Sequence, residues 1–114
     1  MVSHWQLHFD TTHLSKAEKL ASILLERIGR KGTWIRTPAS TPGVRLLAEI
    51  ELNSSSWRDA VFELIDVAQS CGHSWRLYGS VHDDFSLLTI ETSISGIAMI
   101  VCGIRKESES SSDA

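Results

Sequence analysis

From Ile97 to Ile104 the chain reads IAMIVCGI, apolar at every position but Gly103. A strand of that composition presents apolar side chains on both faces, and both faces then need cover. Two strand-like runs lead into it, WRLYGSVH from Trp75 and FSLLTIETS from Phe85, so the last ordered third reads as three consecutive strands. His82, Asp83 and Asp84 supply the first turn, because aspartates bond back to nearby backbone amides. Ser93 to Gly96 supply the second, and short links of this kind join antiparallel neighbours. Simple alternation places Ile97, Met99 and Val101 toward the helices and Ala98, Ile100 and Cys102 on the opposite face.

Upstream, the pattern changes period twice. His4 to Asp10 alternates, with Trp5, Leu7 and Phe9 on one side and His4, Gln6, His8 and Asp10 on the other, which predicts a half-buried strand. Ser15 and Glu18 have capping-box spacing. Ala17, Leu20, Ala21, Leu24 and Ile28 then form a helical stripe that Gly29 or Gly32 can end. A short strand, Thr33 to Thr37, precedes the loop PASTPG. Val44 to Leu52 alternates with even-numbered positions inward and Leu47 as the exception on the outer face. Ser56 and Asp59 can cap a second helix, whose stripe is Trp57, Ala60, Val61, Leu64, Ile65 and Ala68 and whose end is placed at Gly72. Trp75 and Leu77 are expected to point inward with the core.

The order β, α, short β, β, α, β, β, β predicts an α+β fold. Its form is a two-layer α/β sandwich, a mostly antiparallel five- to six-stranded sheet with two helices on one face, related to the ferredoxin-like split β-α-β motif. A chain of 114 residues is one domain, here 1–105. The serine-rich, acidic stretch 106–114 has no apolar anchor and is expected to be a disordered tail.

Composition narrows the functions. A net charge of −3 argues against a nucleic-acid partner held by phosphate neutralisation. The N-terminus lacks the basic start and apolar run of a signal peptide, and no stretch has the ~18 apolar residues of a membrane span, so a cytoplasmic location without membrane contact is expected. Cys71 and Cys102 read as two buried free thiols.

Five histidines invite a metal reading. His4 and His8, however, stand roughly 13 Å apart on one strand face, too far for one zinc ion. His8 with Asp10 and His82 is a weaker possibility than plain polar-face residues. No G-x-S-x-G, G-x-G-x-x-G or Walker spacing occurs, so neither a catalytic residue nor a cofactor or metal is assigned. Trp34 and Arg36 share the short strand before the proline loop, and these residue types are enriched at binding hot spots. Glu49, Glu51, Glu63, Asp66, Asp83, Asp84 and Glu91 could assemble an acidic surface suited to a basic partner.

Taken together, the α/β layout, the run WRLYGSVHDDFSLLTIE leading into SISGIAMIVCGIR and the acidic balance resemble the immunity proteins of contact-dependent growth inhibition and related bacterial polymorphic toxin systems. The resemblance implies a cytoplasmic, non-enzymatic protein that binds one cognate toxin domain, often a nuclease, and occludes its active site. Trp34, Arg36, Glu49, Glu51, Asp83 and Asp84 are the expected contact residues. The alternative is a small-molecule- or metal-binding ferredoxin-like regulatory domain or small enzyme that uses the open sheet face, with His4, Gln6, His8, Arg76, Tyr78 and His82 lining it. Homodimerisation through the C-terminal strands fits either.

Overall fold

The computed structural model describes residues 1–37 and 43–106, the side chains of 34–37 excepted. The greater part of the proline loop and the serine-rich end, with the expectations placed on them, lie outside the described residues. The elements run β1 (Val2–Phe9), α1 (Leu14–Ile28), β2 (Gly32–Thr37), β3 (Arg45–Glu51), α2 (Trp57–Gln69), β4 (Gly72–His73), β5 (Arg76–Ser80), β6 (Asp84–Thr89), β7 (Glu91–Thr92) and β8 (Ile97–Arg105).

Six strands form one sheet in the order β2-β3-β1-β8-β6-β5, and β4 and β7 make a separate two-stranded ribbon. Every pairing is antiparallel. β1 and β2 therefore run parallel with β3 between them, the split β-α-β arrangement expected of a ferredoxin-like relative. β8 takes the place beside β1, and the β5-β6 hairpin extends the sheet beyond it. The protein is a two-layer α+β sandwich, with two helices among the described residues.

Both helices lie on one face, where alternation had placed the core. Ala17, Ala21, Leu24 and Ile28 of α1 and Ala60, Val61, Leu64, Val67 and Ala68 of α2 are buried. They share one cluster with Trp5, Leu7 and Phe9 of β1, Leu46, Ala48 and Ile50 of β3, Phe85 and Leu87 of β6, and Ile100, Cys102 and Ile104 of β8. At ~25 cal/mol per Å² of apolar surface removed from water, this cluster is the main stabilising term. Beneath it runs a small polar relay: the Trp5 indole N–H donates to Ser3 Oγ at 2.8 Å, and Ser3 Oγ donates to the Ile50 carbonyl at 2.8 Å. Ser3, fully buried, thus satisfies an indole that the core would otherwise strand.

Local chemistry departs from the sequence expectation at five points. α1 starts at Leu14 with His13 as its N-cap and no side-chain cap. Ser15 therefore lies inside the first turn, and no capping box forms with Glu18. Gly29, in the left-handed region at φ 66°, ends this helix as expected, but α2 ends at Ser70, and Gly72 is a ribbon residue paired with Thr92. The Ser56 cap does form, accepting from the Asp59 N–H at 3.3 Å. Asp84 belongs to β6 rather than to the turn. The FSLLTIETS run splits at Ile90 because the Thr89 hydroxyl bonds the His73 carbonyl and accepts from the Glu91 N–H, pulling β7 away toward β4.

The fifth departure reverses a face. His8 pairs with Met99 but Phe9 pairs with Ile97, so Ala98 is an extra residue in β8, a β-bulge. Ile97 faces the helices as expected. Beyond the bulge the parity flips: Ile100 and Cys102 sit opposite Leu7 and Trp5 in the core, while Met99 and Val101 sit opposite His8 and Gln6 on the uncovered face.

Glu63 ties three elements together. Its carboxylate accepts from the backbone N–H groups of Asn53 and Ser54, each at 2.8 Å, from Ser54 Oγ at 2.7 Å, and from Arg30 beyond α1 at 2.9 Å. Burial alone would raise its pKa, but the Asn53, Ser54 and Arg30 donors outweigh that and hold it down to about 2. A depressed carboxylate pKa stabilises the fold fully above the ordinary value of 4.5 and ceases to do so as pH falls toward about 2. Glu63→Gln is therefore expected to cost about 2 kcal/mol at pH 7. Urea unfolding between pH 5 and 2 should show a shallower acid loss for the variant than for the parent; parallel curves would contradict this role. Ser3→Ala should cost about 1–3 kcal/mol in the same assay, because both the Trp5 N–H and the Ile50 carbonyl lose a buried partner.

Candidate functional site: the open sheet face

With both helices on one side, no described element covers the other side of the six-stranded sheet, and the register fixes what stands on it. Residues opposite one another in antiparallel strands share a face. One row across the sheet reads Glu49, His4, Gly103, Ser86, Tyr78 from β3 to β5. The next reads Leu47, Gln6, Val101, Leu88, Arg76. A third begins Arg45, His8, Met99. Toward the other end, Glu51 pairs with Val2, and Asp84 pairs with Arg105. The face is polarised: carboxylates at the end where β1 begins and β8 finishes, an apolar belt across the middle that ends at Arg76 on β5, and Arg45 beyond the belt.

Gly103 sits in the centre of the polar row. A Cβ there would come within 2.6 Å of the Phe85 carbonyl oxygen, so the close approach of β6 requires glycine. The missing side chain also leaves a shallow trough of about 460 Å³, walled by His4, Gln6, Leu47, Asp84, Val101 and Arg105 with Ser86 beside the glycine. Arg105 Nε donates to Asp84 Oδ2 at 3.3 Å across the β6–β8 pair, and His4 Nδ1 lies 3.8 Å from Glu49 Oε2 across β1–β3. Both pairs are exposed and contribute little to stability; they position charge around the trough.

His8 lies one row beyond the belt. Its Nε2 is buried and has no hydrogen-bond partner among the described residues. Burial, and then the Arg45 guanidinium on the neighbouring strand, hold its pKa below the ordinary 6.5. His8 is thus a half-buried neutral imidazole, not the exposed polar-face residue expected from the strand pattern.

The structure brings together part of the expected contact set. Glu49, Glu51 and Asp84 all stand on the open face, and Asp83 occupies the adjoining turn, where its carbonyl accepts from the Lys106 N–H at 2.6 Å. Trp34 and Arg36 pair in register with Ala48 and Leu46 on the edge strand β2, and their side chains lie outside the described residues. The larger acidic surface does not form. Glu63 is enclosed by its donors, Asp66 lies on the exposed side of α2, and Glu91 belongs to the ribbon. Of the alternative lining, His4, Gln6, His8, Arg76 and Tyr78 share the open face, whereas His82 lies in the β5–β6 turn. Among the described residues no three His, Cys, Asp or Glu side chains gather as a metal site.

Ser86, Gly103 and Arg105 were not anticipated as parts of this site. Gly103, as the single break in the apolar run, was the available signal; the pairing partners that give it meaning are remote in sequence. The two cysteines face the other way, both free and fully buried. Burial, only partly opposed by Arg27, pushes the Cys71 thiol up to about 12, and burial raises that of Cys102 as well, so both are held in the thiol form. Compared with protein-family models, curated proteins and solved structures, the chain finds no match.

A lowered histidine pKa means that the folded state resists protonation, so the stability linked to His8 is present above pH 6.5 and declines as pH falls toward the folded value. An NMR titration should find the His8 midpoint below 6.5, and Arg45→Gln should move it part of the way back. A midpoint at or above 6.5 would mean that the imidazole is not held neutral by its surroundings.

Proposed function

We propose that this chain is a binding protein of the immunity kind, which neutralises a cognate protein toxin by seating its open sheet face over the toxin's active site. The observation that carries the reading is the arrangement on that face: Glu49, Glu51 and Asp84 stand at one end of an uncovered six-stranded sheet, next to a belt formed by Leu47, Val101 and Leu88. Strand spacing makes the sheet ~24 Å wide, a span suited to a protein partner. Carboxylates beside apolar surface match a toxin site that is itself basic, as one that handles phosphate is. Trp34, Arg36 and Asp83 are further contacts under this reading, and the place of action is the cytoplasm.

The test is co-expression with the toxin domain encoded next to this gene. The protein should co-purify with that domain and protect a susceptible cell, and Glu49→Lys with Glu51→Lys should weaken binding tenfold or more, about 1.4 kcal/mol, and alter its salt dependence. The reading fails if no such toxin is encoded nearby or if the protein gives no protection. Unchanged binding by the double variant would move the contact off this face.

A second reading has one observation in its favour. The trough of about 460 Å³ over Gly103 lies within the size range of small-ligand sites, with His4, Gln6 and Ser86 as polar contacts. Metabolite or metal binding there would raise the melting temperature in a thermal-shift screen, and Gly103-proximal variants such as Gln6→Ala would abolish the rise.

A further inference from the structure

The sheet ends in two edge strands, β2 and β5. β8, which its apolar run marked for association, is hydrogen-bonded on both sides, to β1 and to β6, and offers no edge. Of the three longer C-terminal strands, β5, β6 and β8, β5 alone has a side unpaired among the described residues. All five of its residues are exposed, Leu77 at 48% and Tyr78 at 49%. Leu77 pairs with the core residue Leu87 and so lies on the helix side, yet the helix layer does not reach it, contrary to its expected inward position. Edge strands of soluble proteins are ordinarily blunted by lysine, proline or an inward charge. β5 has none of these; its one charge, Arg76, is on the open face.

We propose that β5 pairs with β5 of a second copy of this chain, antiparallel about a two-fold axis through Leu77. Gly79 selects this register. Its φ of +86° takes the backbone out of regular extended geometry, so the usable edge is Arg76 to Tyr78, and Leu77 is its midpoint. Centred there, Leu77 meets Leu77 of the second copy on the helix side and covers the apolar surface that the helices leave bare. On the open face Arg76 stands opposite Tyr78 of the second copy, and the reverse pair repeats across the axis, giving two reciprocal cation–π contacts. Opposed pairs are thus apolar with apolar and cation with aromatic. A foreign strand would have to reproduce this complementarity; a second copy has it by symmetry. With only three residues per strand engaged, the dimer is weak and concentration-dependent. This inference does not depend on the proposed toxin partner.

Sedimentation equilibrium of the full chain should show mass rising from 12.7 kDa toward twice that value between micromolar and millimolar concentrations. Leu77→Lys should hold the protein monomeric, with a melting temperature within a few degrees of the parent. Leu77→Cys should cross-link to its copy under diamide, because directly opposed residues of antiparallel strands meet the Cα separation of a disulfide, and both native cysteines are fully buried. Val81→Cys, exposed but in the turn, is the control and should stay unlinked. A parent that remains monomeric at millimolar concentration overturns the proposal. So does a dimer in which Leu77→Cys links no faster than Val81→Cys, a result that also stands if Leu77→Lys proves unfolded.

Discussion

The pairing of β8 with β1 on one side and β6 on the other is the constraint on which the architecture rests. β2, β3 and β1 form one block and β5 and β6 another, and among the described strands β8 alone is bonded to both. A strand in that place is flanked on both sides, so its neighbours' side chains shield part of each face even where no helix covers it. An apolar sequence on both faces is therefore stable at the centre of the sheet without a second helical layer. Ile97, Ile100, Cys102 and Ile104 meet the helices; Met99 and Val101 are only half-buried, among Leu47, Gln6 and Leu88. The demand for cover on the second face is met in part by this packing, and the proposed partner would supply the rest.

Much of the helix layer was readable from local order. A buried stripe at helical period has one geometric solution, so α2 was legible, and the Ser56 cap with it; the same spacing at Ser15 and Glu18 misled, because the N-cap there falls two residues earlier, at His13. The parity of β3 was equally plain, including Leu47 on the wrong side. By contrast, Ala98 bulges because of where β1 places Phe9, a residue nearly ninety positions away, and no local pattern in IAMIVCGI marks it. The split at Ile90 likewise depends on the His73 carbonyl being within reach of Thr89.

The candidate site was legible to the extent that it depends on single-strand alternation. Glu49 and Glu51 are two apart, so one face takes both; Asp84 joins them only because β6 is the strand next to β8. Glu63 shows the limit most clearly. In sequence it is one more acid on a helix, available for a charged surface. In the fold it is surrounded by four donors and anchors the β3–α2 connection to Arg30, so its charge serves stability and is withdrawn from recognition.

The two edges of the sheet are not equivalent, and the difference bears on solubility. If β5 of one copy met β2 of the next, the contact would be head to tail, and repetition would give an open filament. A two-fold β5–β5 contact instead consumes both copies of the same edge and closes. Gly79 reinforces this choice: a kink two residues before the turn shortens the regular edge, which suffices for a brief symmetric pairing but not for a long ladder with an arbitrary strand. Pairing through β5 would also set two open faces in one continuous sheet, with their carboxylate ends related by the dyad. If the open face binds the proposed toxin, two such faces would act in one particle, and the affinity for a multivalent or surface-bound toxin would exceed that of a single face without any new contact.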